Sequence, residues 1–110
     1  MSEELAAKKC VPCEGGMPTL SQEAIQVFLS NVPGWSVAAD MKSISREFKF
    51  QGFKQALVFV NEVADLAEFE GHHPDIDIRY DRVKLSLSTH AIGGLSENDF
   101  ILAAKINQIN

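Results

Sequence analysis

Two adjacent histidines, His72 and His73, sit just ahead of Pro74, and His90 follows within about twenty residues. These are the three histidines of the sequence. Imidazole gives or takes a proton near neutral pH, so three in one window suggest acid/base work on one small molecule. Glu68 lies four residues before His72, one helical turn back, and could hydrogen-bond an imidazole. Such a set suits proton movement without redox chemistry. No glycine-rich phosphate loop and no serine-centred nucleophile motif accompanies it.

Plainer readings exist for the same residues. A single histidine near a helix end is usually a surface residue favoured by the helix dipole; a cluster of three argues against that reading. Three histidines could also hold zinc, but adjacent His72 and His73 tend to point apart, and no established ligand spacing is present. Asp99 reads as a helix cap, Tyr80 as core, and Trp35 and Phe53 as core aromatics. Cys10 and Cys13 form a C-x-x-C without the second ligand pair of a zinc site. Gly15-Gly16 speaks against a redox motif opening a helix. Free thiols are expected, with zinc shared between chains as the alternative.

These residues must be positioned by something. The chain has 110 residues, is 45% hydrophobic and carries a formal charge of -5, which suits one compact domain. No basic run offers a footprint for nucleic acid or an acidic membrane. No apolar stretch reaches a membrane span, and "MSEELAAKKC" lacks the apolar core of a signal peptide. A cytoplasmic protein is expected.

Residues 1–18, with their prolines and glycines, read as an irregular arm ahead of a single domain over 19–110. Ser21 can cap a helix whose stripe is Ala24, Ile25, Phe28, Leu29 and Val32, stopped by Pro33-Gly34. A short strand from Trp35 to Ala38 precedes "SISREFKF", where Ile44, Arg46, Phe48 and Phe50 share a face. The next helix should bury Phe53, Leu57, Val60, Ala64 and Ala67, and should end by His72. Pro74 biases His73 to extended geometry. Ile76, Ile78 and Tyr80 then alternate with charged residues, with a turn at Asp81-Arg82. Val83, Leu85 and Leu87 face inward, leaving Lys84, Ser86, Ser88 and His90 on the opposite face. Ser96 and Asp99 make a capping box for a last helix buried by Leu102, Ile106 and Ile109. The order α-β-β-α-β-β-α predicts an α+β fold: a four-stranded, mainly antiparallel sheet with three helices on one face.

The stretch "GHHPDIDIRYDRVKLSLSTHAIGGLSENDF" resembles the signature of pterin-4a-carbinolamine dehydratases in its bacterial form. The pattern is an acidic or polar residue, His-His-Pro, an aromatic, a further histidine and a later aspartate. Here it reads Glu68, His72-His73-Pro74, Tyr80, His90 and Asp99. The similarity runs from Trp35 through the last helix, and "KKCVPCEGG" resembles the leader of bacterial and plant relatives. Some animal relatives differ at Gly71, Ile76 and Asn98, positions that could alter pterin contacts.

The resemblance implies dehydration of 4a-hydroxytetrahydropterin to quinonoid dihydropterin with no metal or organic cofactor. It gives catalysis to His72, His73 and His90, with Glu68 orienting or tuning a histidine. Gly71, the histidines, Ser88 and Thr89 would line the substrate pocket, with Tyr80 and Asp99 in support. It also implies a homodimer or homotetramer and a functional link to an aromatic amino-acid hydroxylase. Two other roles occur in the family: a non-catalytic assembly-helper or binding protein, and a part in molybdenum-cofactor metabolism.

Overall fold

The computed structural model describes residues 2–11 and 18–109. In chain order the elements are α1 (Ser2–Ala7), α2 (Gln22–Leu29), β1 (Ser36–Val37), β2 (Ile44–Lys49), α3 (Phe53–Glu70), β3 (Asp75–Arg79), β4 (Arg82–Leu87) and α4 (Glu97–Ile109). The strands form one antiparallel sheet in the order β1-β2-β4-β3. This is the expected α+β architecture, with one helix more than the expected three.

Register explains the core. Ile44 pairs with Leu87, and Phe48 with Val83. In an antiparallel sheet, directly opposed residues share a face, so Ile44, Phe48, Val83, Leu85 and Leu87 form one apolar surface, and all five are buried. Arg46 falls on that face too; its guanidinium lies over the Phe48 ring and donates to Asn107 Oδ1 at 2.7 Å. The opposite face carries Ser45, Glu47, Ser86 and Lys84. α4 is the element the others gather on. Phe100, Leu102 and Ile106 are fully buried, and Phe28 of α2 stacks on Phe100.

Five local expectations need correction. The arm is not wholly irregular: α1 folds and packs on α4. Leu5 and Cys10 join the core, because apolar Leu5 and Ala6 have a helix face to bury on. Cys13 lies outside the described residues. On α3 the buried stripe is Ala56, Phe59, Val63, Ala67 and Glu70, and only Ala67 was expected. Phe53 is 48% exposed, while Leu57, Val60 and Ala64 are half-buried. This helix is apolar on more than one side, so period alone does not select the face. α2 stops at Leu29, short of Val32, which is still fully buried.

The β3–β4 turn is Tyr80-Asp81, since Arg79 pairs with Arg82. Tyr80 takes φ 54° there and is 69% exposed rather than core. Ile76 and Ile78 alternate with charged residues as expected; they face the apolar side opposite Leu85 and Val83, and each is 38% exposed, because β3 is the sheet edge.

Candidate active site

α3 ends where the first two histidines begin. Gly71 adopts the left-handed conformation, φ 68°, and its N–H bonds the Ala67 carbonyl. A side chain would be strained at that angle, so glycine suits this helix stop. The chain then leaves the helix, and Pro74 keeps His73 from resuming it. His72 and His73 consequently reach different carboxylates.

His72 Nε2 lies 2.6 Å from Asp99 Oδ1, with the aspartate side chain fully buried. Its other oxygen, Oδ2, accepts the Thr89 hydroxyl at 2.9 Å and the Ser96 N–H at 2.9 Å. Asp99 is thus the expected helix cap and also a site residue. A carboxylate only accepts, so His72 carries its hydrogen on Nε2. The Thr89 proton is spent on Asp99, so Ser96 Oγ, 2.7 Å away, donates to Thr89 Oγ1. The Thr89 hydroxyl therefore has no proton left for a ligand.

His73 Nε2 lies 2.6 Å from Glu68 Oε2 in an exposed pair. Glu68 thus holds His73, not the His72 that helical spacing suggested, because His72 turns inward to Asp99. His90 is not on a strand. β4 ends at Leu87, and a bridge between Thr89 and Gly94 closes a loop. Within that loop His90 opens the short 3-10 turn His90–Ile92. The ring is exposed, and no described carboxylate holds it.

All three histidines line one cleft of about 270 Å³, together with Gly71, Ser88 and Thr89. Val11, Ala91 and Asn98 complete it. Val11 carried no chemical signal in the sequence; only long-range folding brings it here. Tyr80 does not line this cleft. It sits at the far end of β3, whose near end follows His73 and Pro74.

Behind the cleft, the Cys10 thiol is buried. Burial first, then the charge and hydrogen bonding of Glu70, push its pKa up to about 12. It stays protonated and is a poor nucleophile. Among the described residues, no three His, Cys, Asp or Glu side chains are grouped to hold a metal, and no helix is long and apolar enough to cross a membrane.

Fold and site together define a small α+β domain with a histidine-lined pocket between a helix end and a strand end. A family model described as "Pterin 4 alpha carbinolamine dehydratase" matches residues 18–109. The chain belongs to that family. A protein of Nitrosospira multiformis named "Putative pterin-4-alpha-carbinolamine dehydratase" is 49% identical over 97% of this chain and 93% of its own length. An Azoarcus protein of the same name is 47% identical, over 99% and 93%. The crystal structure of a transcriptional coactivator/pterin dehydratase from Brucella melitensis superposes with TM-score 0.79 at 34% identity, covering 84% of this chain and 98% of that one. A pterin dehydratase-like RuBisCO assembly factor of the alpha-carboxysome shares the fold, with TM-score 0.60 and 23% identity over 69% and 88%.

Proposed function

We propose that this chain dehydrates 4a-hydroxytetrahydropterin in tetrahydropterin recycling. The C4a–O bond breaks, the hydroxyl leaves as water after protonation, the N5 proton is lost, and a C4a=N5 double bond forms. The reaction needs one proton donor and one acceptor, and no electrons change hands. The observation that carries the reading is the convergence of His72, His73 and His90 on one cleft. Two of these rings are held by carboxylates, which fixes their orientation before substrate arrives.

His72, His73 and His90 act as the acid/base groups, with Asp99 positioning His72 and Glu68 positioning His73. No described carboxylate restrains His90, so its ring is free to turn toward the substrate. The Ser88 hydroxyl and the backbone at Gly71 and Thr89 hold the ring edges. The exposed edge of β3, with Ile76 and Ile78 half-open, supports a homodimer or homotetramer. The reading implies a cytoplasmic setting beside an aromatic amino-acid hydroxylase.

A stopped-flow assay with 4a-hydroxytetrahydropterin tests the proposal. Acceleration over buffer is expected. A well-folded protein that leaves the buffer rate unchanged would make the domain a binding or assembly scaffold instead.

A further inference from the structure

One wall of the histidine cleft comes from the N-terminal segment, and two side chains from the site's own helices hold it in place. Glu70 is the last residue of α3, and its side chain is 1% exposed. Its Oε1 accepts the Cys10 N–H at 2.9 Å, and its Oε2 lies 3.3 Å from Lys105 Nζ. Asn98, in the first turn of α4, accepts the Val11 N–H through Oδ1 at 3.0 Å and donates from Nδ2 to the Val11 carbonyl at 2.5 Å. A side-chain amide that both accepts from and donates to one residue's backbone mimics a strand neighbour. The Cys10 thiol donates to the Asn98 carbonyl at 3.6 Å.

Each holding residue adjoins the machinery of the site. Glu70 precedes Gly71 and His72, and Asn98 precedes Asp99. Successive helical residues point about 100° apart, so Asn98 can face the segment while Asp99 faces His72. Val11 is 62% exposed and lines the same cleft as His72. Such exposure of an apolar residue held by its backbone at both polar atoms fits a contact surface for a ligand better than a core residue.

We propose that Val11 is a substrate-contacting residue of this cleft, giving an apolar surface to the pterin ring, and that Asn98 and Glu70 are the positioning residues that dock it. This rests on the pterin reading above.

Because Asn98 grips backbone atoms, Val11→Asp changes the wall and leaves the clasp intact, while Asn98→Ala releases the clasp. Both variants are titrated with 7,8-dihydrobiopterin by fluorescence and assayed for dehydration, and Val11 amide exchange reports docking. Expected are a rise of about five-fold or more in pterin Kd and in KM for both, with kcat held within about two-fold. Val11 exchange should quicken only in Asn98→Ala. Parental Kd in Val11→Asp, with an active parent, overturns the wall and leaves the dehydratase reading standing. Parental exchange in Asn98→Ala overturns the docking assignment. A parent that binds dihydrobiopterin without turnover sinks the dehydratase reading, while the expected Kd shifts would still support the wall. A parent that does not bind the pterin overturns both.

Discussion

His72 and Asp99 meet at 2.6 Å although 27 positions separate them in the chain. The contact joins the end of α3 to the first turn of α4, and Asp99 is also anchored by Thr89 and Ser96 through its other oxygen. A ring held this way has little orientational freedom to lose when substrate binds. Asp99→Asn can present an N–H where His72 needs an acceptor. Turnover should fall about ten-fold or more, the scale of a disrupted proton transfer. Asp99→Ala should in addition cost about 1–3 kcal/mol of stability, because buried donors lose their acceptor. Steady-state kinetics and urea unfolding separate the two effects, and parental turnover in Asp99→Asn would remove this aspartate from the mechanism.

The histidines themselves make the second prediction. His73→Ala and His90→Ala should each lower turnover by about ten-fold or more with unchanged circular dichroism, since both rings are exposed. His72→Ala should impair substrate binding as well, because its ring lines the cleft from a half-buried position. Near-parental rates in both the His73 and His90 variants would end the histidine-based mechanism.

Glu68 offers a contrast with Asp99. Its pair with His73 is exposed on both sides, and exposed pairs contribute about 0–1 kcal/mol. Glu68→Gln should therefore unfold within about 1 kcal/mol of the parent while lowering kcat through a less ordered His73. A large shift in the urea midpoint with unaltered kcat would reverse that assignment.

Beyond the N-terminal arm, whose short helix was not expected, the element order was legible because the apolar period switches cleanly between two and 3.6 residues along the chain. The histidine cluster was legible because Pro74 and Gly71 mark a helix end in the sequence itself. Other features depend on which surfaces meet. Phe53, Leu57, Val60 and Ala64 form as good an apolar stripe on α3 as Ala56, Phe59, Val63 and Ala67, and only docking against the sheet decides between them. Asn98 and Val11 are 87 positions apart, and neither residue type advertises the other. Tyr80 fits the strand alternation by type, yet the two-residue turn takes it out to solvent.

The observed face of α3 is testable in stability. Phe59 is 4% exposed and packs between Phe48 and Phe50. Phe59→Ala should cost about 3–5 kcal/mol through lost burial and a cavity. Phe53→Ala, at a half-open position, should cost under about 1 kcal/mol. Equal urea midpoints for the two variants would contradict the packing described.

Glu70 should make N-terminal docking sensitive to acid. Burial on its own raises the carboxyl pKa, but the Cys10 N–H bond and the Lys105 ammonium outweigh it, with Lys9 adding to them, so the value falls below its ordinary 4.5. The Cys10 thiol beside it is neutral over the whole range, with its pKa near 12. A depressed carboxyl pKa means that folding favours the ionised form. The stabilisation is therefore complete above the unfolded value of 4.5 and is lost as pH drops through the lower folded value. Protection of the Cys10 amide against hydrogen exchange should hold constant around neutrality and decline below pH 4.5, while the core amide of Leu85 stays protected. In Glu70→Gln the side-chain oxygen can still accept from Cys10, but the charge facing Lys105 is gone. Protection should then start lower at neutral pH and vary little with acid. If the parent and Glu70→Gln show the same acid profile at Cys10, another carboxylate controls the segment and Glu70 is not its latch.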